Sequence, residues 1–257
     1  MTELTGAVVL VVGASGGLGS RIAGRLSARG ATVVRASRGA TARDDDHGGA
    51  GASRGSGLGG GVSDLRGDGA ASTTHDLPLD DLRDESATSN LVARVLELHD
   101  RLDGVVIAAG VVAFGPAVEL GDGALQELFE VNALAPIRLI RDSAPYLAES
   151  AKRGRSPFIV TLSGIVSEVP TSGLAAYSAA KAALAAFAVA STRELRRSGI
   201  RIIDARPGHT ETGLSKHPIE GAAPAFPAGL DPDHVAERIV QAIAGDERDL
   251  PSTAFHR

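Results

Sequence analysis

Tyr177 and Lys181 stand four residues apart in the run Tyr-Ser-Ala-Ala-Lys. A helix places such residues on one face, one turn from each other. An ammonium beside a phenol favours the phenolate, so the expected effect is a lowered Tyr pKa and a side chain able to exchange a proton near neutral pH. Taken alone, the pair reads better as an ordinary helix carrying a Tyr and a Lys. The elements around it decide between the two.

Residues 7–12 (AVVLVV) form a continuous apolar run between Gly6 and Gly13. That pattern suits a strand buried on both faces of a parallel sheet. Gly13-Ala14-Ser15-Gly16-Gly17-Leu18-Gly19 follows, then a helical pattern that Gly30 caps. Glycines between a strand and a helix let the backbone turn tightly. They also let a pyrophosphate approach free N–H groups at the positive end of the helix dipole. A second strand at 31–36 ends in Ser37-Arg38. An acid at that strand end would bind the ribose 2′-hydroxyl of NAD(H). Arg38 instead offers a fork for a 2′-phosphate, which points to NADP(H) over NAD(H). Its plainer reading is a solvated loop residue.

Residues 39–70 hold 11 of the chain's 32 glycines and an Asp44-Asp45-Asp46-His47 run. This composition predicts a long surface insertion, with the acid run solvated rather than metal-binding. Residues 71–75 predict a short third strand that exits at Asp76-Leu77, where Asp76 could accept from an adenine amine or cap a turn. A helix is expected over 91–102, with His99 near its end as a favourable cation or polar surface group. A fourth buried strand over 105–110 closes on Ala109-Gly110, where glycine permits close approach of a cofactor. Residues 125–147 predict one long helix kinked by Pro136, with Asn132 at the break. Further strands are expected at 158–162 and 200–205, and a short edge strand at 250–255. An apolar helix is expected at 174–195, a flexible flap at 213–230 and a last helix at 232–244. The helix after Tyr177 is apolar nearly all round, which favours a homodimer or homotetramer.

Alternating strands and helices predict an α/β architecture, a doubly wound parallel sheet with helices on both faces, in one domain spanning 1–257. Ligands in such sheets sit beyond the carboxyl ends of the strands. Gly13, Arg38, Asp76, Gly110, Ser163 and Pro207-Gly208 all fall at predicted strand ends. Net charge is -5 with 3% aromatic residues, so no basic footprint for nucleic acid is offered. The chain has no cysteine, which excludes thiolate metal sites and disulfides. No apolar run is long enough to span a membrane, and the reading is a soluble, cytoplasmic protein.

The order of motifs resembles the classical single-domain short-chain dehydrogenase/reductase family, which has a Rossmann-type fold. The matching pieces are Gly13-x-x-x-Gly17-x-Gly19, Ser37-Arg38, Asp76-Leu77, Ala109-Gly110, Asn132, Tyr177-x-x-x-Lys181 and Pro207-Gly208-x-x-x-Thr212. The resemblance implies an oxidoreductase that passes hydride between NADP(H) and a carbonyl or alcohol substrate. It implies Tyr177 as proton donor and Lys181 as the residue that lowers its pKa and binds the nicotinamide ribose. It also implies Asn132 at the bent helix with a relay water, and Pro207–Thr212 at the nicotinamide end, with Thr210 offering backbone groups. Ser15 and Leu18 belong to the implied cofactor turn. Two positions depart from the pattern. Ile107-Ala108-Ala109-Gly110 stands where the family has Asn-Asn-Ala-Gly. Gly164 stands where the family has its catalytic Ser, with Ser163 one place early and Ser167 on the following loop. Adjacent strand residues face opposite ways, so Ser163 could serve only if the strand end twists. A serine restored at 164 is expected to raise activity if the hydroxyl is limiting. An NADP(H)-binding sensor with little turnover is the competing reading.

Overall fold

Residues 2–39 and 73–256 are described in a computed structural model. Their centre is a seven-stranded parallel sheet in the order β3-β2-β1-β4-β5-β6-β7. The strands are β1 (Val8–Val12), β2 (Thr32–Ser37), β3 (Thr74–Pro78), β4 (Gly104–Ile107), β5 (Phe158–Leu162), β6 (Arg201–Ala205) and β7 (Asp249–Leu250). This is the doubly wound, Rossmann-type arrangement. Strand order reverses between β1 and β4, and the crevice at such a reversal is where ligands enter.

Both faces of the sheet are covered. In β1, Val9 and Val11 join Ile22 and Leu26 of α1 (Gly17–Ala28) and Ile239 and Ile243 of α6 (Pro232–Ala244). Val8, Leu10 and Val12 join the other layer, with α2 (Ala87–His99), α4 (Ala135–Lys152) and α5 (Ala175–Leu195). The two-residue strand period therefore feeds two cores at once, which is why the run is apolar without interruption.

Four expectations change. The third strand lies at Thr74–Pro78, so Asp76 and Leu77 are inside it rather than at its exit. Parallel pairing with β2 continues to Ser37 and Pro78, and Arg35 lies opposite Asp76 with an ion pair at 3.5 Å. The expected single helix at 125–147 is two: α3 (Asp122–Phe129) and α4, joined by a π turn at Glu130–Leu134. Pro136 follows the π turn directly, as the second residue of α4 in a helical run that continues through the turn, so its missing N–H falls at the break around Asn132. The expected terminal edge strand is the two residues of β7 followed by a 3₁₀ turn at Ser252–Phe255. The charged form of His99 is disfavoured: burial, then the charges of His75 and Arg101, push its imidazole below the usual value. It packs edge-on to His75, ring centres 4.8 Å apart. The glycine-rich segment and its acid run lie outside the described residues.

Candidate active site

The β1–α1 turn has the shape a pyrophosphate needs. Gly13 has φ +83°, and a Cβ there would fall 2.6 Å from the backbone nitrogen of Ala109. Glycine is thus required on two counts, conformation and the close approach of the β4 exit. Gly19 passes directly over the Gly13 carbonyl, which seats α1 on β1. Ser15 is exposed on the turn, and Leu18 packs onto the α1/α6 core. Gly17 faces Thr212: a Cβ there would meet the Thr212 side chain at 2.6 Å. Two of the matched segments, distant in the chain, therefore touch. Ser37 is half-buried at the end of β2, and Arg38 is exposed beyond it. These residues fit a dinucleotide: a glycine cradle at a helix N-terminus, and an exposed guanidinium at the neighbouring strand end. Asp76 does not stand free toward that space, because Arg35 holds it. Leu77 is packed into the core.

The β4 exit gathers the next residues. A Cβ on Gly110 would lie 2.9 Å from Oδ1 of Asn132 and 3.6 Å from Nζ of Lys181. Asn132 is fully buried, and its geometry explains the π turn. Its amide donates to the carbonyls of Val111 (2.9 Å) and Leu128 (3.0 Å), and its Oδ1 accepts from Val111 N–H (3.2 Å). The side chain takes over backbone groups that the widened turn and the loop leave unpaired. Lys181 is 6% exposed and donates to the Leu162 carbonyl at 2.8 Å. Its Nζ lies 5.8 Å from the centre of the Tyr177 ring.

The electrostatics differ from the sequence expectation. Burial pushes the Tyr177 phenol up to about 12, rather than down. Burial also lowers Lys181 to about 8, with the Asp204 charge opposing it. The reason is placement: the ammonium is bonded to a strand carbonyl and lies over the ring rather than beside the hydroxyl.

Ser163 and Gly164 resolve by strand parity. Ser163 shares a face with Thr161, and both hydroxyls donate to Asp204 of β6, at 2.6 and 2.7 Å. Ser163 is completely buried. Arg206 closes the same carboxylate at 3.0 Å and also pairs with Glu168 and Asp249. The strand end does not twist to bring Ser163 into the pocket. Gly164 has φ +72° and ψ 165°, a region closed to other residues. A serine at 164 would have to adopt this strained conformation, although the nearest atom to its Cβ, the Pro207 carbonyl oxygen, is 3.8 Å away. Ser167 donates to the Gly164 carbonyl at 2.7 Å and is also held in the turn.

The remaining wall comes from the segment after β6. Thr210 donates to the Gly208 carbonyl at 2.9 Å and bridges to Leu230. The flap is docked rather than loose. Glu220 pairs its backbone with Phe114, and its carboxylate accepts from Gly121 N–H at 2.9 Å, at the start of α3. Phe226 packs on Phe114 and stacks on His209. Beside Tyr177 lies an apolar pocket with Phe114, Leu120, Leu128 and Leu174 in its wall. Sequence reasoning missed Asp204, Glu220 and this wall. Asp204 did leave a signal: it is the one acid in the run IRIIDA, between Ile203 and Ala205.

Fold and site together define a Rossmann-type, doubly wound α/β protein. A model of the family described as short chain dehydrogenase matches residues 69–221. A relative in Anopheles gambiae, dehydrogenase/reductase SDR family protein 7-like, is 30% identical over 96% of this chain and 75% of its own. The chain belongs to the short-chain dehydrogenase family and has the fold of its oxidoreductases. A cyclic-di-GMP-binding biofilm dispersal mediator protein of Escherichia coli K12 is also 30% identical, over 67% of this chain and 72% of its own. A metagenomic short-chain oxidoreductase solved in complex with NADP superposes with a TM-score of 0.70 at 26% identity, covering 97% of this chain and 98% of that one. Among the described residues, no helix is long and apolar enough to cross a membrane.

Proposed function

We propose that the chain is an NADP(H)-dependent oxidoreductase acting on a carbonyl or the matching alcohol. The observation that carries this reading is the meeting of Asn132 and Lys181 at Gly110, with Lys181 over the Tyr177 ring. A dihydronicotinamide, held by this site, would be the source of the hydride for the carbonyl carbon. Tyr177 supplies the proton, so that the carbonyl π pair becomes the O–H bond of the alcohol. Its raised pKa keeps it protonated for that role. Lys181 holds the strand end at Leu162 and presents a cation close to the phenol. Asn132 keeps the π turn open beside Gly110. Gly13, Gly17 and Gly19 would admit the pyrophosphate, and Arg38 would take the 2′-phosphate. Pro207, Gly208, Thr210 and Thr212 border the nicotinamide end.

The test is NADPH oxidation with a carbonyl panel, repeated with Tyr177→Phe. Losing a positioned proton donor typically removes about 10²–10⁴ in rate. Turnover that survives the substitution would sink the assignment of Tyr177.

A second reading is a dinucleotide-binding sensor with little turnover. Gly164 favours it, since no serine side chain stands there. The relative described as a cyclic-di-GMP-binding mediator gives that reading a precedent in a protein of similar sequence. Tight NADPH binding with no turnover of any carbonyl would select it.

Association of identical chains is part of the proposal. Ala179, Ala183, Ala186 and Val189 form an exposed stripe of small apolar side chains on α5, with Val189 53% exposed. Replacing Ala186 with Arg is expected to yield monomers in sedimentation if this stripe joins subunits. The one-domain reading, with residues 39–70 as an insertion, and a place in the cytoplasm complete the proposal.

A further inference from the structure

Lys181 is bonded to the last residue of β5: its Nζ donates to the Leu162 carbonyl at 2.8 Å. The residues on either side of Leu162 are clamped by a single carboxylate. Thr161 donates to one oxygen of Asp204 at 2.7 Å, and Ser163 donates to the other at 2.6 Å. All three of these side chains are buried, as is Lys181, and Thr161 lies opposite Asp204 in the β5–β6 register. From the neighbouring strand, Asp204 thus spans the residue to which Lys181 is bonded.

We propose that Asp204 is a positioning residue for Lys181: it anchors the strand end whose carbonyl accepts from the ammonium, and it supplies the counter-charge for that ammonium. A buried cation needs both an acceptor and an opposite charge, because desolvation favours its neutral form. Burial lowers Lys181, and the Asp204 charge works against that lowering. Other groups surround the pair. The Tyr177 ring lies 5.8 Å from Nζ on the same helix, and Asn132 abuts Gly110 together with Lys181. Arg206 bonds the Asp204 carboxylate at 3.0 Å and offsets part of its charge, while Glu168 and Asp249 share Arg206. The link from Asp204 to Lys181 stands on this geometry; its effect on turnover rests on the oxidoreductase reading.

The lysines of the chain are Lys152, Lys181 and Lys216, and the first and last are exposed. NMR titration of the Cε of carbon-13-labelled lysine therefore reads Lys181 apart from the others. Asp204→Asn keeps the shape and removes the charge; it is expected to move the Lys181 midpoint down from about 8 by about 1 pH unit or more. Arg206→Gln leaves the carboxylate unopposed and is expected to move the midpoint up. Thr161→Val removes a hydroxyl but no charge, with Ser163 still holding the strand end, and is expected to leave the midpoint in place. The alkaline limb of kcat/KM with NADPH and a carbonyl is expected to follow the same order. An Asp204→Asn midpoint at or above that of wild type, or an equal movement in Thr161→Val, would overturn the inference. If Asp204→Asn does not fold, Arg206→Gln decides, and a midpoint that fails to rise overturns it too. The expected midpoints with no turnover of any carbonyl would keep the role of Asp204 and remove the oxidoreductase reading.

Discussion

Two clusters flank the connection from β5 to α5, and they are built in opposite ways. On the β6 side, buried Thr161, Ser163 and Asp204 continue through half-buried Arg206 to exposed Glu168, and each named side chain has a partner. On the α3 side, Phe114, Leu128, Leu174 and Tyr177 line a small apolar cavity in which, among the described residues, Tyr177 carries the one hydroxyl. The polar groups near the strand end have gone to structure, and the pocket has been left nearly dry of donors. A satisfied buried network rigidifies its surroundings. An apolar wall instead makes the few polar atoms facing it count for more, because the low local dielectric strengthens them.

Asp204→Ala should give the largest effect of any single change in the polar cluster. It leaves two buried hydroxyls and the Arg206 guanidinium without their shared acceptor, a loss of about 3–5 kcal/mol by analogy with broken buried pairs. Denaturant melts measure it. A cost below about 1 kcal/mol would mean that the network is slack and that the contrast between the clusters is wrong.

Gly164→Ser and Gly164→Ala should both lose about 1–3 kcal/mol, since either side chain is forced into a region that suits glycine. Turnover of the Ser variant is expected to be no higher than that of wild type. A rate above wild type in the Ser variant alone would show that the turn can yield and that a missing hydroxyl limits the chemistry.

The pH dependence of stability tests the burial of Lys181. Its folded pKa is lowered from 10.5 to about 8, so between those values the unfolded chain binds more protons than the folded one. Stability therefore rises with pH across that window through this group. Tyr177 acts with the opposite sign higher up. Its folded pKa is raised from 10.0 to about 12, so the folded chain holds the proton longer and stability falls with pH through that interval. Thermal melts of wild type and Lys181→Met across pH 8 to 10.5 should differ in slope, with the variant flatter. Parallel curves would mean that the ammonium is hydrated.

The smallest effect is expected farthest from both clusters. Arg38→Ala should raise the KM for NADPH about 10-fold while changing that for NADH less than about 2-fold, in line with loss of one charge-assisted hydrogen-bonding group. Equal changes for both cofactors would remove the 2′-phosphate role.

Much of this was legible in the residues. The β1 run between two glycines, the helix over 232–244, the glycine turn and the one-turn spacing of Tyr177 and Lys181 follow from local periods and from where glycine is tolerated. Those are properties of short stretches, and short stretches carry them in full. The parity argument that turned Ser163 away from the pocket was also local, because adjacent strand residues must face opposite ways.

What only the tertiary structure decided depends on partners distant in the chain. Asn132 holds a π turn because the Val111 backbone comes to it across a loop. The Tyr177 phenol is raised rather than lowered because burial outweighs an ammonium lying over its ring. Asp204 became the acceptor for two strand hydroxyls because β5 and β6 pair in one register, Thr161 opposite Asp204. Serine is strained at 164 because the strand end and the Pro207 carbonyl bend the chain into a conformation that spacing alone does not encode. Residue types and intervals set which groups could do chemistry. Burial and register, which arise only when the whole sheet forms, set which of them face the pocket and in what protonation state.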